Sequence, residues 1–312
     1  MSWSKSSLCV LLLVSSAFAA SPLFPVYYDT NLKVKPSFSD IIQKTGHKSF
    51  TLAFALGNHL GCVPHWGAEF PIDDPEILDP IKAAQRQGAE FVIATGGAAG
   101  PYLEHLCQTS QALATAYKIA LDAVGTTHLD IDVESTINND LVNQALAQVQ
   151  RERPQVTVSY TLMVQGDDYG LVDSVGITVL KSAKANGVRV DIVNAMAMEY
   201  PSQLDWGDSV IATGNSVLIQ MKGIWPEKSD AELKKMLGLT PMIGRNMNGK
   251  IFELRHAQKV VEWGNANHIG LLSFWSAGRD NGNCPGGGVS PSCSSIAQQE
   301  FEFIKIFQGF LG

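Results

Sequence analysis

The sequence has no basic excess. Its 23 Lys and Arg are outnumbered by 30 Asp and Glu, for a formal net charge of −7. Phosphate binding calls for a cationic face, so the charge argues against a nucleic-acid partner and none is expected. Long apolar runs are missing too. Beyond the amino-terminal segment no stretch reaches the roughly 20 apolar residues that cross a bilayer, so no membrane partner is expected. The cysteines form no C-x-x-C pair, which makes zinc the poorer account of them, and no metal is expected. Nor is there a G-x-S-x-G elbow to present a nucleophilic serine. The run Gly96-Gly97-Ala98-Ala99-Gly100 lacks the Lys-Ser/Thr of a phosphate loop. No cofactor is therefore expected. Linkers, low-complexity tracts and repeats are absent as well, which argues against an appended binding module.

What is present begins with a leader-like segment. Lys5 supplies a positive charge, residues 8–14 are apolar, and Ala17-Phe18-Ala19 offers small residues for cleavage. This reads as a signal peptide over 1–20 and a mature domain over 21–312, hence a secreted protein. Removal of Cys9 with the leader leaves Cys62, Cys107, Cys284 and Cys293. An even number in an exported chain points to two disulfides, with three possible connectivities. Cys284 and Cys293 bracket a short Pro/Gly/Ser-rich loop and are natural partners, which would leave Cys62 for Cys107.

Short β-type runs alternate with amphipathic stretches along the rest of the chain. The strand candidates are 24–28, 49–56, 91–95, 127–133, 156–163, 190–198, 240–244 and 270–275. Between them lie helical patterns such as 110–124, where Leu113, Tyr117, Ala120 and Leu121 recur at helical spacing. Gly88 and Gly187 fall where helices end. Eight βα units predict an α/β fold, a single-domain (β/α)8 TIM barrel, with an open doubly wound sheet as the alternative. In a barrel the loops after the strands, such as 57–67 and 96–100, share the face that carries chemistry.

One strand is chemically distinctive. In Thr127-His128-Leu129-Asp130-Ile131-Asp132-Val133-Glu134 three acids recur at every second position. The two-residue period of a strand puts the three carboxylates on one face and Leu129, Ile131 and Val133 on the other. The apolar face suits packing against helices, so the acids point into the barrel. Crowded and desolvated there, at least one must hold its proton to a raised pH. A carboxylic acid protonated near neutrality is what leaving-group protonation requires.

The pattern Asp130-x-Asp132-x-Glu134 at the end of the fourth strand resembles the catalytic signature of glycoside hydrolase family 18. Gly96-Gly97, Met196-Ala-Met198-Glu-Tyr200 and Ser273-Phe274-Trp275 extend the resemblance over the third, sixth and eighth strands. The spacing of the last two strands matches a compact, bacterial-type branch that lacks an α+β insertion. The resemblance implies a chitinase using the substrate's own 2-acetamido group as nucleophile, with retention of configuration. It makes Glu134 the proton donor, Asp132 the partner of the acetamido N–H, and Asp130 the residue that tunes Asp132. Two registers are open at 196–200. The one that keeps Met198 and Tyr200 inward makes Tyr200 a donor to the acetamido oxygen. Trp275 is expected as the floor under the reacting sugar. Gly96 and Gly97 are expected to make room for that sugar, and Gln165 and Arg245 to hydrogen-bond it. Trp66 either lines a further subsite or packs within its loop. The expected partner is chitin or an N-acetylglucosamine oligosaccharide, bound by a monomer. A barrel that binds sugar without turnover, and an endo-N-acetylglucosaminidase acting on N-glycans, are the alternatives.

Overall fold

The computed structural model describes residues 23–284 and 287–312, so the expected leader 1–20 lies outside the described residues. Eight strands form the centre. They are β1 (Val26–Asp29), β2 (Ser49–Asn58), β3 (Glu90–Gly96) and β4 (His128–Val133). They continue with β5 (Thr157–Gly166), β6 (Ile192–Met196), β7 (Leu237–Thr240) and β8 (Leu271–Leu272). Each is hydrogen-bonded in parallel to the next. The ring closes between β8 and β1: Tyr27 N–H donates to Phe274 O at 3.3 Å, and Leu272 N–H to Leu23 O at 3.0 Å. This is the (β/α)8 barrel that the alternation predicts.

A helix follows each strand. In order they are α1 (Phe38–Thr45), α2 (Pro75–Arg86), α3 (Ser110–Val124) and α4 (Asn139–Glu152). Then come α5 (Thr178–Ala185), α6 (Trp206–Ile224), α7 (Leu254–Asn267) and α8 (Glu302–Phe307). Ser37, Thr109, Asn138 and Asp205 cap α1, α3, α4 and α6 by accepting from amides of the first turn. Each such cap is worth about 1 kcal/mol. Gly88 and Gly187 end α2 and α5 with φ of 86° and 71°, a left-handed backbone that costs other residues strain.

The apolar residues divide into two unequal groups. Outward-facing strand residues such as Leu129, Ile131 and Val133 join Leu113, Tyr117 and Leu121 of α3 and Val142, Leu146 and Val149 of α4 in one continuous core. Burying each such side chain contributes roughly 1.5–3 kcal/mol, so this outer layer holds the fold. Among the described residues a small second cluster, Tyr27, Ala53 and Ala94, packs inside the ring against Phe54 and Trp275.

Three expectations change. The seventh strand is Leu237–Thr240 rather than 240–244, because Pro241 has no N–H to continue the ladder. The eighth shortens to Leu271–Leu272, although Ser273 and Trp275 still donate to Leu239 O and Pro241 O. The segment 57–67, expected as a loop, contains a strand, Gly61–Trp66, that pairs antiparallel with β2. Cys62 of this ribbon is bonded to Cys107 in the β3–α3 connection, and Cys284 to Cys293, with Cα separations of 4.8 and 5.9 Å. These are the pairings favoured by the loop argument.

Candidate active site

The two-residue period of β4 sends Asp130 and Asp132 into the lumen. In register, Asp130 stands between Ala94 of β3 and Ser159 of β5, and Asp132 between Gly96 and Thr161. Glu134 follows one residue past the end of β4. It lines a cleft of about 270 Å³ together with Asp132, Tyr27, Phe54, Thr161, Thr240 and Trp275. The cleft therefore opens at the carboxyl ends of the strands, where barrels carry their chemistry.

The three acids have unequal surroundings. Asp130 is only 2% exposed and is ringed by hydroxyl donors. Tyr27 Oη donates to its Oδ2 at 2.8 Å, Thr161 Oγ1 lies 3.0 Å from both oxygens, and Ser159 Oγ donates to Oδ1. Burial lifts the Asp130 carboxyl to about 6, and these donors keep it from rising further. Asp132, 4% exposed, has no such help: its Oδ1 is buried without a hydrogen-bond partner. Burial, then the charges of Glu134 and Asp130, hold Asp132 well above the usual carboxylate range. Burial raises Glu134 as well. Its backbone N–H donates to Tyr102 Oη at 3.2 Å, and Tyr102 donates in turn to Gly97 O, which fixes where Glu134 leaves the strand.

Aromatic and thioether groups make up the walls. Trp275 stacks on Phe54 with an interplanar angle of 12° at 5.9 Å and tilts against Tyr27 at 5.8 Å. Met163, Met196, Met198, Met242 and Met247 also line the cleft, five of the eight methionines in the sequence. Thioethers are unbranched and polarizable, and they mould to an irregular ligand.

Several sequence expectations fail on geometry. Tyr200 does not line the cleft: it is buried against Trp206 at 4.8 Å, and its hydroxyl accepts from Thr213 Oγ1 at 2.8 Å. The strand ends at Met196, and Glu199 takes a left-handed backbone with φ of 61°, so strict alternation stops before Tyr200. Met198 and Glu199 face the cleft instead. The Glu199 carboxylate accepts from the amides of Met247 at 2.8 Å and Asn248 at 2.9 Å, pinning the loop that carries Met247. Trp66 is wholly buried in the main core, its Nε1 donating to Ile72 O at 3.0 Å, and forms no subsite. Gly96 and Gly97 are required by the protein's own packing. A Cβ on Gly96 would lie 1.8 Å from Asp132 O, and one on Gly97 would lie 2.6 Å from the Phe54 ring. Gln165 is exposed where β5 runs past the barrel rim to pair with Gly170–Leu171. Arg245 sits on a hairpin with Ile251–Phe252, off the end of β7 and away from the cleft.

Sequence reading missed Tyr27, Ser159, Thr161, Asn194 and Thr240. Each is a polar side chain at an inward position of a barrel strand, and that was the available signal.

A barrel with an acidic strand end beneath an aromatic-walled cleft defines a glycosidase. The fold and sequence of the second active domain of a thermostable chitinase from Pyrococcus furiosus, studied in complex with chito-oligosaccharides, are similar throughout. The two are 37% identical, cover 93% of this chain and 96% of that one, and superpose with a TM-score of 0.87. The chain belongs to glycoside hydrolase family 18. It is also 29% identical over 316 residues to a probable bifunctional chitinase/lysozyme of Escherichia coli and 28% identical over 281 residues to Endochitinase 11 of Metarhizium anisopliae. Those alignments take in 92% and 83% of this chain but only 34% and 52% of the relatives, so the chain spans about a third and about half of their lengths. A fungal family 18 endo-β-N-acetylglucosaminidase shares the fold at 15% identity, with a TM-score of 0.63. No family model matches the sequence.

Proposed function

We propose that this chain is a secreted chitinase that cleaves β-1,4 bonds between N-acetylglucosamine units by substrate-assisted, retaining catalysis. The observation that carries this reading is the buried Asp132 oxygen without a partner, beside a cleft lined by Glu134. An unsatisfied buried acceptor costs about 1–3 kcal/mol, and a bound acetamido N–H would satisfy it. With that N–H held, the acetamido oxygen is directed at the anomeric carbon. Glu134, carrying its proton, donates it to the departing glycosidic oxygen and afterwards takes a proton from the attacking water. Asp130, held by its hydroxyl donors, is the fixed negative neighbour that favours a proton on Asp132 in the free enzyme. Export fits the two disulfides, which persist in oxidising compartments.

Incubation with a defined chito-oligosaccharide, followed by product chromatography, tests the reading. Shorter N-acetylglucosamine oligomers with the β-anomer formed first are expected. Binding without turnover at every pH would make the protein a lectin-like barrel instead. Trp275→Ala is expected to remove ~2 kcal/mol of packing against the sugar face, about a thirtyfold loss of kcat/KM. An unchanged kcat/KM would place the sugar elsewhere.

A further inference from the structure

We propose that Asn194 and Thr240 are positioning residues for the acidic pair: they hold the Thr161 hydroxyl in the orientation that donates to Asp130 and so help keep the resting proton on Asp132. The proposal rests on the catalytic reading above, which gives the pair its task.

The hydrogen-bond chain crosses four adjacent strands, β4 to β7. Thr240 of β7 is buried, and its hydroxyl donates to Asn194 Oδ1 of β6 at 2.9 Å. The order of the chain is set from its acceptor-only end: the Asp130 carboxylate takes the Thr161 proton, the Thr161 oxygen is left to accept from the Asn194 NH2 group, and Asn194 Oδ1 is left facing Thr240 as an acceptor. The NH2 group then faces β5, and Asn194 Nδ2 donates to Thr161 Oγ1 at 2.9 Å. Thr161 has a single hydroxyl proton. With its oxygen already accepting from Asn194, that proton is left for the carboxylate of Asp130, whose two oxygens each lie 3.0 Å away. Tyr27 Oη is 2.8 Å from Thr161 Oγ1 and gives its own proton to Asp130 Oδ2. Turning the amide over would reverse the chain: Thr161 would donate to residue 194, and Asp130 would lose a donor.

The backbone beside Asn194 is closely fitted. Gly238 lies opposite Asn194 in register, and a Cβ there would sit 3.0 Å from Asn194 Oδ1. The titratable groups that face Asp130 are Tyr27 from β1 and, on its own strand, Asp132 and His128, with Glu134 acting through Asp132; burial lowers the pKa of His128, whose Nδ1 lies 2.7 Å from Thr157 Oγ1. From β3, β5, β6 and β7 come Ala94, Ser159, Thr161, Asn194 and Thr240, none of which titrates. The hydroxyl donors are thus what distinguishes Asp130 from Asp132, and Thr161 is the one whose direction other residues control.

Thr240→Val removes the first donor at nearly constant volume. In protein labelled at aspartate, carboxyl-carbon NMR is expected to show the Asp130 titration moving up by about half to one pH unit. Thr240→Ser, which keeps the hydroxyl, is expected to restore the wild-type midpoint. In turnover of a chito-oligosaccharide the acid limb of kcat/KM is expected to rise with it, with kcat several-fold lower and KM near wild type. A midpoint unmoved in Thr240→Val, or moved as far in Thr240→Ser, overturns the proposal. Should the valine variant fail to fold, Thr240→Ala lacks the same donor and carries the same expectation. Wild-type protein that never turns over substrate would sink the chitinase reading, while the NMR titration still decides this one.

Discussion

Glu134→Gln is expected to cut turnover of a chito-oligosaccharide by about 10²- to 10⁴-fold while leaving its binding near wild type. Glutamine matches glutamate in shape and keeps the backbone N–H that donates to Tyr102, so the wall of the cleft is preserved. What it cannot do is deliver a proton. The wild-type carboxyl can, because burial holds it above the ordinary glutamate range, so it stays protonated to a higher pH than a solvated glutamate would. Leaving-group departure without that proton must expel an alkoxide, and the barrier rises accordingly. Initial rates from reducing-end release, paired with calorimetric binding of the same oligomer, separate the two effects. Near-normal turnover would strip Glu134 of its role, and an equal loss of binding and rate would make that role structural.

The second large effect lies in the substrate. Oligomers identical in linkage but carrying a hydroxyl in place of the 2-acetamido group are expected to be cleaved at least ~10⁴-fold more slowly. An attached nucleophile reacts at effective concentrations of about 10⁵–10⁸ M, and no side chain in the cleft is set to replace it. The acids that line it are Asp132, Glu134 and Glu199. Both oxygens of Glu199 are occupied by the amides of Met247 and Asn248. Burial and the charges of its two acidic neighbours hold Asp132 well above the usual carboxylate range, which favours its protonated form. A protonated acid is a poor nucleophile but can stabilise an acetamido group that attacks from within. Chromatography of cello-oligosaccharide digests, run beside the chito-oligomer, measures the ratio. Efficient cleavage of the plain glucose polymer would require a carboxylate nucleophile and discard substrate assistance.

The sequence made the acidic strand legible because a strand's alternation is rigid, and residues 128–133 obey it without interruption. The same rule misplaced Tyr200, since alternation lapses once the chain turns at Met198 and Glu199. Barrel membership was readable from the outer faces, whose Leu, Ile and Val recur with strand and helix periods. Inward residues carry no such run. Asn194 sits alone between Val193 and Ala195, and its importance depends on Thr161 and Thr240, which are distant in the chain and adjacent only after the ring closes. Trp66 was open for a related reason: a tryptophan in a Gly-rich segment suits a sugar platform or loop packing, and pairing of its strand with β2 decides for burial.

The separation of the apolar core from the lumen has a consequence for how this protein can change. The packing that resists unfolding lies between the strands' outer faces and the helices, whereas most of the chemistry lies inside a ring that packs a small cluster of its own. Substitutions among the inward polar positions therefore act first on reactivity, with a stability cost only for the hydrogen-bond partners they leave unsatisfied, and substitutions in the outer layer act first on stability. The two properties are inherited through different residues, which leaves the barrel free to trade one carbohydrate for another without first being rebuilt.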